Sequence, residues 1–213
     1  VTNESRDTLY LEETKKPYSG EVERKYPDGK LLGLATVKDG KLNGKSYEYY
    51  ENGKLKIEEN YVNSKSEGVS KVFYPNGKVK YETPYKNDKK EGVEKFYSEN
   101  GILMSEIPFK NDIVIGVAKV YNAQTGKLEY EENLVNGKRN GLSKKYYPSG
   151  KVLNEVNFKD DKEEGIMRVY YETGKLQGEI PYKNGQVDGV VKAYDENGKL
   201  IEQATFKNGE EVK

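Results

Sequence analysis

Short apolar and aromatic runs alternate with polar turn clusters along the whole chain, at the spacing of strands rather than helices. The stretch 68–88 is representative. Gly68-Val-Ser-Lys-Val-Phe-Tyr74 leads into Pro75-Asn76-Gly77, and Lys78-Val-Lys-Tyr-Glu-Thr-Pro-Tyr85 leads into Lys86-Asn87-Asp88. Pro75 presets φ for the first corner of a type I turn, and Gly77 suits the left-handed position after it. Together they predict a three-residue hairpin loop with a bulged glycine. The second turn recurs as Lys38-Asp39-Gly40, Val135-Asn136-Gly137, Lys183-Asn184-Gly185 and Lys207-Asn208-Gly209. Elsewhere its last residue is Ser64, Asp88, Asp112 or Asp161. Aspartate tolerates positive φ well and serine less well. The expected product is an all-β meander in which each strand pairs antiparallel with its sequence neighbours.

The pattern is periodic. Glycine recurs at 20, 44, 68, 92, 116, 141, 165 and 189, and a second series follows at 29, 53, 77, 101, 126, 150, 174 and 198. Both advance by 24 residues, apart from one longer step at Asn122-Ala123-Gln124-Thr125-Gly126. A fixed period of this length marks a repeat array. Residues 20–213 make eight tandem repeats, and residues 1–19 read as an N-terminal edge strand or cap.

Strand alternation sorts the columns into two faces. One expected face carries Val69, Val93, Val117, Leu142, Ile166 and Val190, then the aromatic column of Phe73, Tyr97, Tyr121, Tyr146, Tyr170 and Tyr194. Tyr61, Tyr85, Phe109, Phe158, Tyr182 and Phe206 are assigned to this same face, which is taken as the spine. The opposite face is assigned the leading glycines and the column of Glu58, Glu82, Glu106, Glu131, Glu155 and Glu179. Repeated glycine inside a strand points to close approach of a backbone or a ring.

Composition narrows the chemistry. The 213 residues hold 36 basic and 36 acidic side chains, so no net charge draws in nucleic acid or anionic lipid from a distance. No apolar run reaches the ~18 residues of a membrane-spanning helix. Histidine and cysteine are absent, which removes the commonest general base, metal ligand and thiol nucleophile. Acidic pairs such as Glu58-Glu59 recur with the repeat, whereas a catalytic pair belongs to one unique pocket. No catalytic residue, metal ligand or cofactor is assigned. The lysine column of Lys71, Lys95, Lys119, Lys144 and Lys192 is expected to lie over neighbouring rings, with a lipid-headgroup ladder as the other reading. The start at Val1, without methionine, suggests a processed chain. The compartment is left open between the cytoplasm and, if a signal peptide has been removed, the periplasm or cell envelope.

Gly44-Lys-Ser-Tyr-Glu-Tyr-Tyr-Glu-Asn-Gly53-Lys54-Leu55 and Glu179-Ile-Pro-Tyr182-Lys-Asn-Gly185-Gln-Val-Asp-Gly189 resemble MORN repeats, in the bacterial variant found in YwqK-family antitoxins. The resemblance implies an elongated, twisted antiparallel sheet of hairpins that acts as an interaction scaffold. An antitoxin or immunity role comes with it, as does membrane-surface scaffolding as an alternative. Some MORN proteins also carry a phosphoinositide kinase domain, but no kinase signature occurs in this chain.

Departures from the repeat are the candidate binding residues. Ile113-Val114-Ile115 replaces a polar triplet, and Ile102-Leu103-Met104 replaces a Lys-Val-Lys-type start. Val72, Phe96 and Val120 form an apolar row on the glycine face where Arg24, Glu48 and Lys145 stand in other repeats. Val72, Phe96, Met104, Ile113, Val114, Ile115 and Val120 are therefore read as a mid-array patch for another protein or a second copy. The competing reading is a kink that buries them. An enzyme is the least favoured class, and no nucleic acid partner is expected.

Overall fold

The computed structural model describes residues 2–5, 8–10 and 16–212. Part of the N-terminal segment read as a cap, residues 11–15, lies outside them. Thr2–Ser5 and Thr8–Tyr10 pair with each other in a two-stranded sheet. From Gly20 onward every pairing described is antiparallel and local, and no helix occurs among the described residues. The all-β expectation of tandem hairpins holds. The chain divides into two compact units, residues 1–103 with 109–112 and residues 104–108 with 113–213.

Both turn types form as their residues dictate. At the first, Tyr74 accepts from Gly77 N–H at 2.8 Å and donates to Lys78 C=O at 2.8 Å, with Gly77 at φ 92°. At the second, two successive residues take positive φ, as in Asn87 (50°) and Asp88 (68°). Lys86 pairs with Lys89 across this tight turn, which is the geometry that the right-handed strand twist favours. Ser64 adopts it as well, at φ 64°. Its side chain compensates: Ser64 Oγ accepts from Leu42 N–H at 3.2 Å. Asp88, Asp112 and Asp161 do the same for Ser66, Lys90 and Arg139. A second tie comes from the residue before the leading glycine. Glu67, Glu91 and Glu164 accept from the turn amides of Asn87, Asn111 and Asn184. A third runs from Tyr26, Tyr50, Tyr74, Tyr147 and Tyr171, whose hydroxyls donate to the carbonyls of Tyr49, Phe73, Tyr97, Tyr170 and Tyr194. Consecutive repeats are thus bonded tip to tip as well as strand to strand.

The face assignment needs correction. In the repeats whose first hairpin is described, the register shifts one residue pair beyond the first turn: Phe73 faces Val79, but Val72 faces Tyr81. Lys80 is the extra residue of a β-bulge, and it inverts the alternation of the returning strand. Tyr85 therefore lies opposite Gly68, on the glycine face, and Glu82 lies opposite Lys71 on the other. The buried side chains follow the corrected parity. Val37, Thr83, Ala118, Ser143, Val156 and Phe158 all belong to the glycine face. Val69, Val93, Val117, Ile166 and Val190, expected in the spine, are exposed.

Candidate functional site

On the face opposite the buried side chains, charges alternate in register across the strands. Lys71 faces Glu58 and Glu82. Lys119 faces Glu106 and Glu131, Lys144 faces Glu131 and Glu155, and Arg168 faces Glu155 and Glu179. Ion pairs close at several rungs, including Lys71–Glu82 at 3.2 Å and Arg168–Glu179 at 3.7 Å. The lysine column thus has glutamates opposite it across the strands. That weakens it as a headgroup ladder, since each cation already has an anion opposite.

Tyrosine completes the rungs. Tyr121, Tyr146, Tyr170 and Tyr194 donate to Glu106, Glu131, Glu155 and Glu179, and Tyr97 donates to Glu82. Burial, and then the bonded carboxylate, push the Tyr121 phenol up to about 12. Tyr61, held by Glu59, is also pushed up to about 12, again mainly by burial. A phenol raised in the fold above its unfolded value near 10 stabilises fully below about pH 10, and that stability is lost as pH climbs toward 12. The melting temperature is therefore expected to be flat on the neutral side and to fall through this window. Phenolate absorbance should lag that of free tyrosine over the same range. A Tyr121→Phe protein with an unchanged high-pH phenolate amplitude would remove Tyr121 from this account.

The seven apolar candidates occupy different places. Val72 and Phe96, in the first unit, both face Tyr81, and Phe96 stacks on that ring with centroids 4.8 Å apart. In the second unit Val120 faces Ser105 and Tyr130 and is 43% exposed. Met104 precedes Ser105, in the column of the bulge residue Lys80. Ile113 is 48% exposed, Ile115 is also exposed, and Val114 between them is half-buried. Val117, beyond the sequence-derived set, is exposed nearby. Ile115 stands in the column of Glu67, Glu91 and Glu164, and a hydrocarbon chain cannot accept the turn hydrogen bond those residues accept.

The second unit also holds a hollow of about 350 Å³ on the glycine face. Tyr130, Ser143, Lys145, Asn154 and Phe158 are among its walls. Sequence reading missed it because the columns were assigned to the wrong faces. Ser143 and Lys145 stand where the fourth repeat has Glu94 and Phe96.

An antiparallel array of this kind, with paired charges and two turn types per period, defines a β-hairpin repeat protein. The chain belongs to the MORN repeat variant family, whose model matches residues 18–39, 42–63, 66–87, 90–111, 139–160, 163–184 and 187–208. MORN repeats are in general protein- or membrane-binding motifs, and the family is typically non-catalytic. Residues 112–138 fall outside the matched segments, although they form the same two hairpins. Comparison with curated proteins finds no match. Among solved structures, one titled "Crystal Structure of TcdB2-TccC3-Cdc42" is similar at 12% identity and TM-score 0.19, over 93% of this chain. This chain spans 15% of the length of that one, and so distant a likeness carries no argument.

Proposed function

We propose that the chain is a non-enzymatic module that binds another protein through the stretch 113–120. The observation that supports this is a coincidence of three properties. Ile113 and Ile115 are exposed there, the stretch departs from the family pattern, and Ile115 forgoes a turn-capping bond that its counterparts make. Apolar residues on a surface lower solubility, and giving up a hydrogen bond lowers stability. A covering partner accounts for both. Within this reading, the likeness to antitoxin-type repeats favours a toxin as that partner.

Ile113→Glu with Ile115→Glu tests it. Glutamate at 115 is the residue other repeats use, so strand content and melting temperature should be unchanged or slightly raised. Capture of the partner from native extract, or self-association if the partner is a second copy, should be abolished. A double variant that keeps every interaction of the parent would end the proposal. So would one that unfolds, since these residues would then be structural.

A further inference from the structure

The same station recurs along the glycine face, hollow at Val22, Ala35 and Val37 in the first unit but filled at Phe96. In the first unit Phe96 stacks on Tyr81. Beside that pair Glu94 accepts from Thr83 Oγ1 at 2.8 Å and Lys90 Nζ at 2.6 Å, with the Lys90 ammonium 4.7 Å from the Phe109 ring centroid. In the second unit Tyr130, Arg139 and Phe158 repeat the places of Tyr81, Lys90 and Phe109, and the Arg139 guanidinium lies 4.1 Å from the Phe158 centroid. The two fillers are gone: Lys145 stands for Phe96 and Ser143 for Glu94. What remains is the 350 Å³ hollow, within the ~300–1,000 Å³ range of ligand sites.

Two groups are left without the partners their counterparts have. No ring stacks on Tyr130 among the described residues. Ser143 is 3% exposed, and its Oγ makes no full hydrogen bond among the described residues: the Tyr130 hydroxyl within its reach is already donated to Glu132. A buried hydroxyl in that state costs ~1–3 kcal/mol, so something that meets it is favoured. The charges around the hollow balance. Arg139 is engaged by Asp161, Lys144 stands between Glu131 and Glu155, Tyr130 donates to Glu132, and Lys145 and Glu163 contribute one charge of each sign. An anion would meet Glu132 and Glu163, and a cation would meet Arg139 and Lys145. A plain aromatic side chain would cover Tyr130 but leave Ser143 unmet. The complement is an uncharged ring with one apolar face and hydroxyls that both donate and accept.

We propose that this hollow binds one ring of a neutral glycan, its C–H face on Tyr130 and its hydroxyls on Ser143 and Asn154. Val156 and Met167 line the apolar side of the same hollow. The proposal is independent of the protein-binding stretch, which is read from other residues.

The test titrates cellobiose, chitobiose, maltose and mannobiose into the ¹⁵N-labelled full chain, with acetate and N-acetyltyrosine amide as comparison probes. At least one disaccharide should shift the amides of Tyr130, Ser143 and Asn154. Lys145→Phe, which restores the first unit's stacked ring, should abolish those shifts while strand content is kept. Ser143→Ala only removes an unpaired hydroxyl, so it should fold and bind roughly three- to tenfold more weakly. The proposal is overturned if no disaccharide moves these amides, or if Ser143→Ala binds as tightly as the parent. It is overturned equally if a folded Lys145→Phe still responds, or if acetate or the tyrosine amide acts where the sugars do not.

Discussion

Phe158→Ala is expected to lower unfolding stability by about 3–4 kcal/mol, the largest effect of any single side-chain truncation in the second unit. Phe158 is 7% exposed and lies opposite Gly141 on the glycine face. Its removal loses the transfer energy of a ring and leaves a cavity. The cavity would merge with the adjoining hollow, and little stands nearby to collapse into it. Arg139 would also lose the aromatic surface on which its guanidinium rests. Phe158→Leu keeps most of the volume and should cost no more than about 1.5 kcal/mol. Tyr121→Ala is the informative contrast. Tyr121 is half-buried on the charged face, so its loss should be clearly smaller. Urea unfolding of the three variants measures the order, and equal losses for Tyr121→Ala and Phe158→Ala would show that the buried face has been misassigned.

Gly92→Ala is expected to cost on the order of 3 kcal/mol, from two separable sources. Gly92 has φ +121°, a region that L-residues enter at about 1–3 kcal/mol. A Cβ there would also stand 2.9 Å from Pro84 Cγ. A proline ring cannot rotate aside, so the overlap adds a cost in the ~1–3 kcal/mol range of overpacked sites. Gly68→Ala isolates the first source, because φ is +82° and nothing lies within 4 Å. Relieving the second, by combining Gly92→Ala with Pro84→Ala, should recover part of the loss. If Gly68→Ala and Gly92→Ala proved equally destabilising, the proline contact would be irrelevant.

The ring behind the repeated glycine was legible as a requirement but not as a residue. Glycine inside a strand signalled a close approach. Proline supplies it for Gly92, Gly116 and Gly189, whereas Thr36 and Asn133 supply it for Gly44 and Gly141. The turn positions were legible, because Pro75 presets φ while Gly77, Asn87 and Asp88 tolerate positive values; that Asn87 takes one as well as Asp88 was not. The faces were not, because they depend on parity along a strand and a bulge at Lys80 resets it. Nothing in Lys80 itself marks the bulge, since it arises from how the hairpin closes against its neighbour. That single residue per repeat moved Tyr85 and Phe158 to the buried side and Glu82 to the charged side. The hollow at Tyr130 went unseen for the same reason, while the exposed stretch 113–120 was found because it breaks composition rather than register.

The hydrogen bonds from one tyrosine hydroxyl to the next repeat reach 23 residues along the chain, and the turn-capping bonds reach 20 or 22. None of these ties is longer than one period. Excising or duplicating a whole period therefore leaves the strand pairing and the tyrosine-to-carbonyl ties of its consensus neighbours with partners of the same kind. Copy number becomes a quantity that unequal recombination can change without altering a contact type, and each lesion stays confined to the repeats that flank it.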